Sequence, residues 1–443
     1  MLIDKLQEEI LRLKTRLRRQ ERTAQEGPFG SSTPSAKIPL KANTPLESSQ
    51  RRGGAKPGHR GHGRRRIPQD EVSRQHSVPG PERCPHCGGP LNPKGSKART
   101  IIEVDPVRKE VVRYELEQCD CSHCHRTFTA RPTGVFAKGL FGNRLLTHLA
   151  VEHYLHGVTV GRLSTCLGIT QGSLWAALHQ LARRLASVPE RLLLEYRRAP
   201  VKHADETGWR TDGHNGYAWL FCTPQVSLFR FRQTRSASVA REVFAARRLP
   251  GVLVVDRYNG YNQTPCAIQY CYAHLLREVQ DLAKEFPQVE EVSGFAASFA
   301  PLLADAMQLR ARPLTAAQFG PQALELKVEI KSLVHAPAQH PGIQKIQNIF
   351  REQKARLYHW AKNPAIPADN NRAERELRPL VIARKISFGS QSEQGAQTRE
   401  TLMTVLHTLR KRTTDVFDLF KRALDNLAED ETTDPHKVLF DSS

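Results

Sequence analysis

The run Val201-Lys202-His203-Ala204-Asp205-Glu206-Thr207-Gly208-Trp209-Arg210 decides the fold. A short extended segment leads to a carboxylate, and the next runs, Tyr217 to Cys222 and Val226 to Arg232, are rich in aromatic and β-branched residues, as hairpin strands are. Asp205 then belongs to the first strand of a sheet. A second run, Gly251-Val252-Leu253-Val254-Val255, is continuously apolar and ends at Asp256, the pattern of a strand buried on both faces with an acid at its end. A third acid, Glu374, lies in Asp369-Asn370-Asn371-Arg372-Ala373-Glu374-Arg375, where asparagine can cap a helix and place the glutamate in its first turns.

Two strand-borne aspartates and a helix-borne glutamate are the donors that a hard divalent cation takes. Mg²⁺ prefers oxygen ligands in octahedral geometry and keeps several waters, which leaves room for phosphate oxygens. A pair of such ions roughly 3.5–4 Å apart can activate an attacking oxygen and stabilise a leaving one. The expected site is therefore Asp205, Asp256 and Glu374 around Mg²⁺ or Mn²⁺.

Composition narrows the partner. A chain of 443 residues exceeds one ordinary core and implies several domains. Lys and Arg number 66 against 45 Asp and Glu, a net charge of +21, which favours a polyanion, nucleic acid by default. No apolar stretch reaches the roughly 18 residues of a membrane span, and Met1-Leu2-Ile3-Asp4-Lys5 lacks a signal-peptide pattern, so a cytoplasmic, nucleoid-associated protein is expected. Five of the nine cysteines fall between positions 84 and 124, which reads as metal ligation in a reducing compartment.

In chain order, residues 1–22 carry Ile3, Leu6, Ile10, Leu13 and Leu17 at heptad spacing. A short dimerising coiled coil and an amphipathic helix packed on its own protein both fit. Residues 23–80 read as a largely disordered, basic linker whose stretch from Arg51 to Arg66 holds seven Lys or Arg and no acid. Arg64, Arg65 and Arg66 are candidates to lie along phosphates, against a plain solvated linker.

Residues 81–132 hold Cys84-Pro85-His86-Cys87 and, after 33 residues, Cys121-Ser122-His123-Cys124. Two Cys-x-x-Cys knuckles complete a tetrahedral zinc site, and four protein ligands make it structural. The alternating run Ile101 to Leu116 suits strands of a zinc ribbon. Cys119 can replace Cys121, and His86, His123 and His125 are alternative ligands.

Residues 140–190 turn helical, and Val158 to Trp175 reads as a helix-turn-helix with Leu163, Leu167, Ile169 and Leu174 inside and Gly168 at the turn. Its second helix offers Gln171, Ser173, His179 and Arg183 to a DNA groove. An ordinary core helical hairpin has the same pattern. Strand-forming residues 197–270 give way to helical periodicity over 271–360, which reads as an insertion, because 118 positions separate Asp256 from Glu374 but only 51 separate Asp205 from Asp256. The sheet domain resumes over 361–400, and 401–443 reads as two packing helices. Pro379 is expected to break or restart the helix begun near Asn371. Arg378, Arg384 and Lys385 form a basic cluster able to hold phosphates beside the acids.

His203-Ala204-Asp205-Glu206-Thr207-Gly208-Trp209, Asp256-Arg257-Tyr258-Asn259-Gly260-Tyr261-Asn262, Cys271-Tyr272-Ala273-His274 and Asp369 to Pro379 together resemble transposases of the insertion-sequence-66 family. The likeness continues through Arg384-Lys385-Ile386-Ser387-Phe388-Gly389-Ser390 and Gly395-Ala396, and back to Lys56-Pro57-Gly58-His59 and the zipper-like start. Tyr272 departs from it, standing where the family has tryptophan. The resemblance implies a multidomain α/β protein: an RNase H-like mixed-sheet core with a helical insertion, preceded by a coiled coil, a zinc ribbon and a helical DNA-binding region. It implies a DDE triad of Asp205, Asp256 and Glu374, binding of terminal inverted repeats, and metal-dependent strand cleavage and strand transfer. Double-stranded DNA, a dimer or higher oligomer on DNA, and accessory proteins of the same element are the implied partners.

Each acid alone has a simpler reading. Asp205 can form a turn before Gly208, Asp256 can cap the turn after its strand, and Glu374 can serve a capping box with Asn371 or pair with Arg378. Glu206 and Glu376 are the nearest rival acids, Glu206 being expected on the strand face opposite Asp205. A nuclease or resolvase on the same fold, and a DNA-binding regulator without catalysis, are the competing functions.

Overall fold

The computed structural model describes residues 68–71, 109–120, 127–129 and 132–441, apart from 138 and 247. The zipper-like start, Arg64 to Arg66 and the four zinc-ligand candidates Cys84, Cys87, Cys121 and Cys124 lie outside the described residues. Residues from Val111 onward belong to one compact unit, and residues 38–110 to another. The second is represented by a 3₁₀ turn at Gln69–Glu71 and by residues 109–110.

Residues 101–108 of the alternating run Ile101 to Leu116 lie outside the described residues. Residues 111–117 form no strand, and Val111 is 85% exposed. Among the described residues pairing begins at β1 (Gln118–Asp120), antiparallel to β2 (Thr127–Thr129).

The main sheet is built from β3 (Val201–Thr211), β4 (His214–Cys222), β5 (Ser227–Arg232), β6 (Val252–Val255) and β7 (Ala267–Tyr270), in the order β5-β4-β3-β6-β7. β3, β4 and β5 are antiparallel neighbours, whereas β6 runs parallel to β3 and β7 parallel to β6. The β3–β4 turn is made by Asp212 and Gly213, both at positive φ, the two-residue hairpin turn that matches strand twist. All four residues of β6 are buried, as an apolar run lying between two parallel neighbours requires.

Four helices precede the sheet: α1 (Asn143–Tyr154), α2 (Val160–Leu167), α3 (Gln171–Arg184) and α4 (Val188–Arg198). Helix α2 ends on Gly168 in the left-handed conformation, and Thr170 caps α3, so the segment does form two helices around a glycine turn. Helix α5 (Ala237–Phe244) links β5 to β6. Trp209, Trp219, Phe221, Phe229 and Phe244 are fully buried, each worth about 1.5–3 kcal/mol of apolar burial or more.

Between β7 and the last core helices come α6 (Tyr272–Glu285), α7 (Glu290–Gln308), α8 (Ala316–His335) and α9 (Pro341–Glu352). Tyr272 is accommodated here with its hydroxyl satisfied. Its ring packs edge-on against Phe350 and Trp360, and its hydroxyl donates to the Leu357 carbonyl at 2.6 Å.

Helix α10 (Asn371–Ser387) runs unbroken through Pro379, contrary to the expected break. Proline removes the bond to the carbonyl four residues earlier, that of Arg375, an exposed residue, so water can take its place. The chain then turns at Phe388 and Gly389 and pairs with the end of β3, Ser390 donating its N–H to Arg210 O at 2.9 Å. A Cβ on Gly389 would meet that carbonyl at 2.2 Å, so no other residue fits there. The tail is three helices rather than two: α11 (Glu393–Arg412), α12 (Val416–Glu429) and α13 (Pro435–Phe440). Asp434 accepts the His436 N–H and starts the third. Among the described residues no helix is long and apolar enough to cross a membrane.

Candidate active site

Asp205 and Asp256 are brought together by register. The parallel pairs Val201–Val252, Lys202–Leu253 and His203–Val254 all have an offset of 51, the separation of Asp205 and Asp256 (256 − 205 = 51). Both aspartates therefore lie two residues beyond the last of these pairs, where β6 has ended and β3 continues. Asp256 is held in a turn, its Oδ1 accepting the Tyr258 N–H at 2.9 Å. Asp205 Oδ1 accepts the Glu206 N–H at 2.9 Å.

Burial pushes the Asp205 carboxyl well above the usual range, and the carboxylates of Glu206, Asp256 and Glu374 push it further in the same direction. Several acids thus act on one carboxyl, a field that a cation would relieve. Glu206 is also raised, by burial and then by Asp256, with Tyr261 and Arg235 opposing. Alternation along β3 puts it on the other face from Asp205, where its carboxylate accepts from the Tyr261 hydroxyl at 2.5 Å and pairs with Arg235 at 2.6 Å.

Glu374 stands in the first turn of α10. Its oxygens face away from a compact trio. Oε2 lies 3.6 Å from Arg277 and Oε1 3.9 Å from His274 Nδ1, and among the described residues the three acids do not form a cluster with all ligand oxygens within 4.8 Å. Burial lowers the His274 imidazole below its ordinary value, Glu374 acting against the shift.

Asn370 positions this end of α10. Its Oδ1 is 2.9 Å from His203 Nδ1, its Nδ2 donates to Ala204 O at 2.9 Å, and its N–H donates to Cys271 Sγ at 3.1 Å. With its side chain spent on β3, the helix start is served instead by Asp369, whose Oδ1 accepts the Asn371 N–H at 2.9 Å. The donor set of two in-register aspartates, with Glu374 one helix turn away from Asn370, fits a hard divalent cation if Glu374 turns from Arg277 toward Asp205.

The cationic candidates divide. Arg378 and Lys385 are exposed on α10. Arg384 is not a surface cation: it is 6% exposed, and its Nη1 donates to Thr207 Oγ1 at 3.0 Å and Gly208 O at 2.6 Å, fixing α10 on β3. On α3, Gln171 is exposed and Ser173 partly so, but His179 turns inward, its Nδ1 2.7 Å from Thr398 Oγ1 on α11. Arg183 is exposed. Sequence reading gave Asn370 only a helix-capping part, which its side chain does not perform, and gave no role to Tyr261, Arg235 or Cys271, although all but Arg235 sit within the motifs that carry the resemblance.

Two in-register aspartates at the end of a parallel strand pair in a mixed sheet thus stand near a helix that carries Glu374 and exposed cations. Residues 138–398 match the family described as Transposase IS66 family, and the chain belongs to that family. It is also similar to three uncharacterized proteins of Sinorhizobium fredii (strain NBRC 101917 / NGR234). The identities are 24% with y4qI over 67% of this chain, 23% with y4jD over 79% and 21% with y4hP over 84%. The chain spans 62% of the length of y4qI and 75% of each of the other two.

Proposed function

We propose that the chain is a DNA transposase with an RNase H-like core. In this reading it binds the terminal inverted repeats of an insertion sequence and carries out metal-dependent strand cleavage and strand transfer at Asp205, Asp256 and Glu374. The observation that carries the reading is the shared offset of 51 that sets the two aspartates side by side, with the Asp205 carboxyl raised first by its burial and then by Glu206, Asp256 and Glu374. Three antiparallel strands followed by two parallel ones, and helices α6 to α9 between Asp256 and Glu374, support the core and its insertion.

Bound Mg²⁺ or Mn²⁺ would supply Lewis-acid activation of the attacking oxygen and charge relief at the leaving one. The protein's own part is placement. Asp205 is fixed by the rigid middle of β3, and Asp256 is aimed by its turn with Tyr258. Glu374 arrives on a helix pinned by Asn370 and Arg384. Arg378 and Lys385 lie along the DNA backbone on the exposed side of that helix, and Gln171 and Ser173 meet DNA at the exposed start of α3. Arg64, Arg65 and Arg66 add phosphate contacts, and Cys84, Cys87, Cys121 and Cys124 hold a structural Zn²⁺. The protein acts as a dimer or higher oligomer on DNA, with accessory proteins of its element, at the nucleoid.

The test is a strand-transfer assay with pre-cleaved terminal repeats and Mg²⁺. Wild-type protein should join ends to target DNA, and Asp256→Asn should lower joining by about 10²–10³ or more while still binding the ends. Unimpaired joining by Asp256→Asn would overturn the assignment. Cutting with no joining by the wild type would make the protein a nuclease instead.

A further inference from the structure

Cys271, His274 and Glu374 form the one group of three Cys, His, Asp or Glu residues among the described residues whose ligand atoms all lie within 4.8 Å of one another. Their origins differ. Cys271 is the N-cap of α6, His274 lies one turn into that helix, and Glu374 comes from α10, 100 residues after His274 (374 − 274 = 100). His274 Nδ1 and Glu374 Oε1 are both shut off from solvent without a hydrogen-bond partner, although they face each other at 3.9 Å. Unpartnered buried polar atoms are costly unless something satisfies them.

Burial pushes the Cys271 thiol up to about 12, while the N–H of Asn370, 3.1 Å from Sγ, and the backbone N–H groups of His274 and Ala273 act against that rise. Such donors, together with the positive end of a helix, stabilise sulfur carrying negative charge. One thiolate, one imidazole and one carboxylate are the mixed donors that a borderline-soft ion prefers over Mg²⁺. Bonds of about 2.0–2.3 Å place tetrahedral ligands roughly 3.3–3.8 Å apart, so the group needs to contract by only about an ångström.

We propose that these three residues bind a divalent transition-metal ion such as Zn²⁺, at a locus separate from the two aspartates but sharing Glu374. Occupancy holds Glu374 on the Cys271 side, and so withholds it from Asp205 and Asp256. This consequence rests on the proposed function, whereas the binding itself does not. Zn²⁺ is then an inhibitor of the Mg²⁺-dependent reaction.

The test uses full-length wild-type, Cys271→Ser and His274→Ala proteins, equilibrated with Zn²⁺ and desalted, with metal content measured per chain. The ribbon cysteines contribute equally to all three. Each variant should carry one equivalent fewer than the wild type, and with Co²⁺ the Cys271→Ser protein should lose part of the thiolate charge-transfer absorption. Affinity at this locus should fall about a hundredfold or more. Serine keeps an acceptor for the helix cap, and if that variant nevertheless melts early, His274→Ala decides. Equal metal content in all three overturns the proposal. In the cleavage assay, added Zn²⁺ should inhibit the wild type more strongly than Cys271→Ser, and equal inhibition overturns the sharing of Glu374. If no preparation cleaves DNA but metal content differs, the transposase reading fails and the metal site stands.

Discussion

Oδ1 of Asn370 lies 2.9 Å from Nδ1 of His203, so the residue before α10 is tied to the strand that carries Asp205. Both residues are buried, and Asn370 also donates to Ala204 O, the carbonyl just before Asp205. This amide side chain, together with Arg384 further along α10, therefore sets the position of Glu374 relative to Asp205. Burial holds the His203 imidazole down to about 4, so at neutral pH it is uncharged and can serve as a fixed donor to Asn370. Replacing Asn370 with Ala strands two buried polar groups and should cost about 1–3 kcal/mol for each left unsatisfied. Denaturant unfolding measures that loss. Strand cleavage, under conditions where the variant is still folded, should fall by about tenfold or more, because the helix bearing Glu374 loses its register. A variant that unfolds earlier but cleaves normally would limit Asn370 to stability.

Asp205 gives a pH signature of opposite sign to the usual paired carboxylate. Its folded value is raised above that of the unfolded chain, so between the two the folded state holds the extra proton. Stability contributed by this group is present at low pH and declines as pH rises through that window. Asp205→Asn removes the penalty. The metal-free variant should melt higher than the wild type at neutral pH, with the gap closing as pH falls toward 4, about the ordinary aspartate value. Buried His153 and His407, both held down to about 3, work in the other direction, because they must charge on unfolding in acid, but they are common to both proteins. The difference in melting temperature between the two proteins across pH isolates Asp205. Added Mg²⁺ should raise the wild type and leave the variant nearly unchanged.

The legible parts of this chain are those governed by local pattern. A continuous apolar run ending in an acid specifies β6 and Asp256, and an aromatic-rich hairpin specifies β3 to β5, since strand burial writes itself into side-chain type. The direction in which Glu374 points is not written that way. It depends on Arg277 and His274, which reach it only through the packing of α6 against the site. Arg384 is a different failure. Ala373, Leu377, Leu380 and Arg384 repeat at four, three and four, so the arginine continues the buried stripe of α10, and periodicity places it correctly where charge alone does not. The surviving helix through Pro379 follows from the exposure of Arg375, which one-dimensional reading does not supply.

Arg384, Arg378 and Lys385 therefore separate two kinds of cation on a single helix. Arg384→Met removes hydrogen bonds from a charged group to Thr207 and Gly208 and should cost about 1.5–3 kcal/mol per bond, lowering the melting temperature by several degrees. Methionine fills much of the space, so the loss reports the bonds rather than a cavity. Arg378→Ala and Lys385→Ala, at exposed positions, should change stability by less than about 0.5 kcal/mol. Binding of terminal-repeat DNA should respond in reverse. Each exposed substitution should lower affinity and reduce the slope of log affinity against log salt by about one, the signature of one lost phosphate contact. Arg384→Met should leave the slope unchanged wherever the protein is folded. A reduced slope for Arg384→Met, or an unchanged one for both exposed variants, would place the DNA on another face of the molecule.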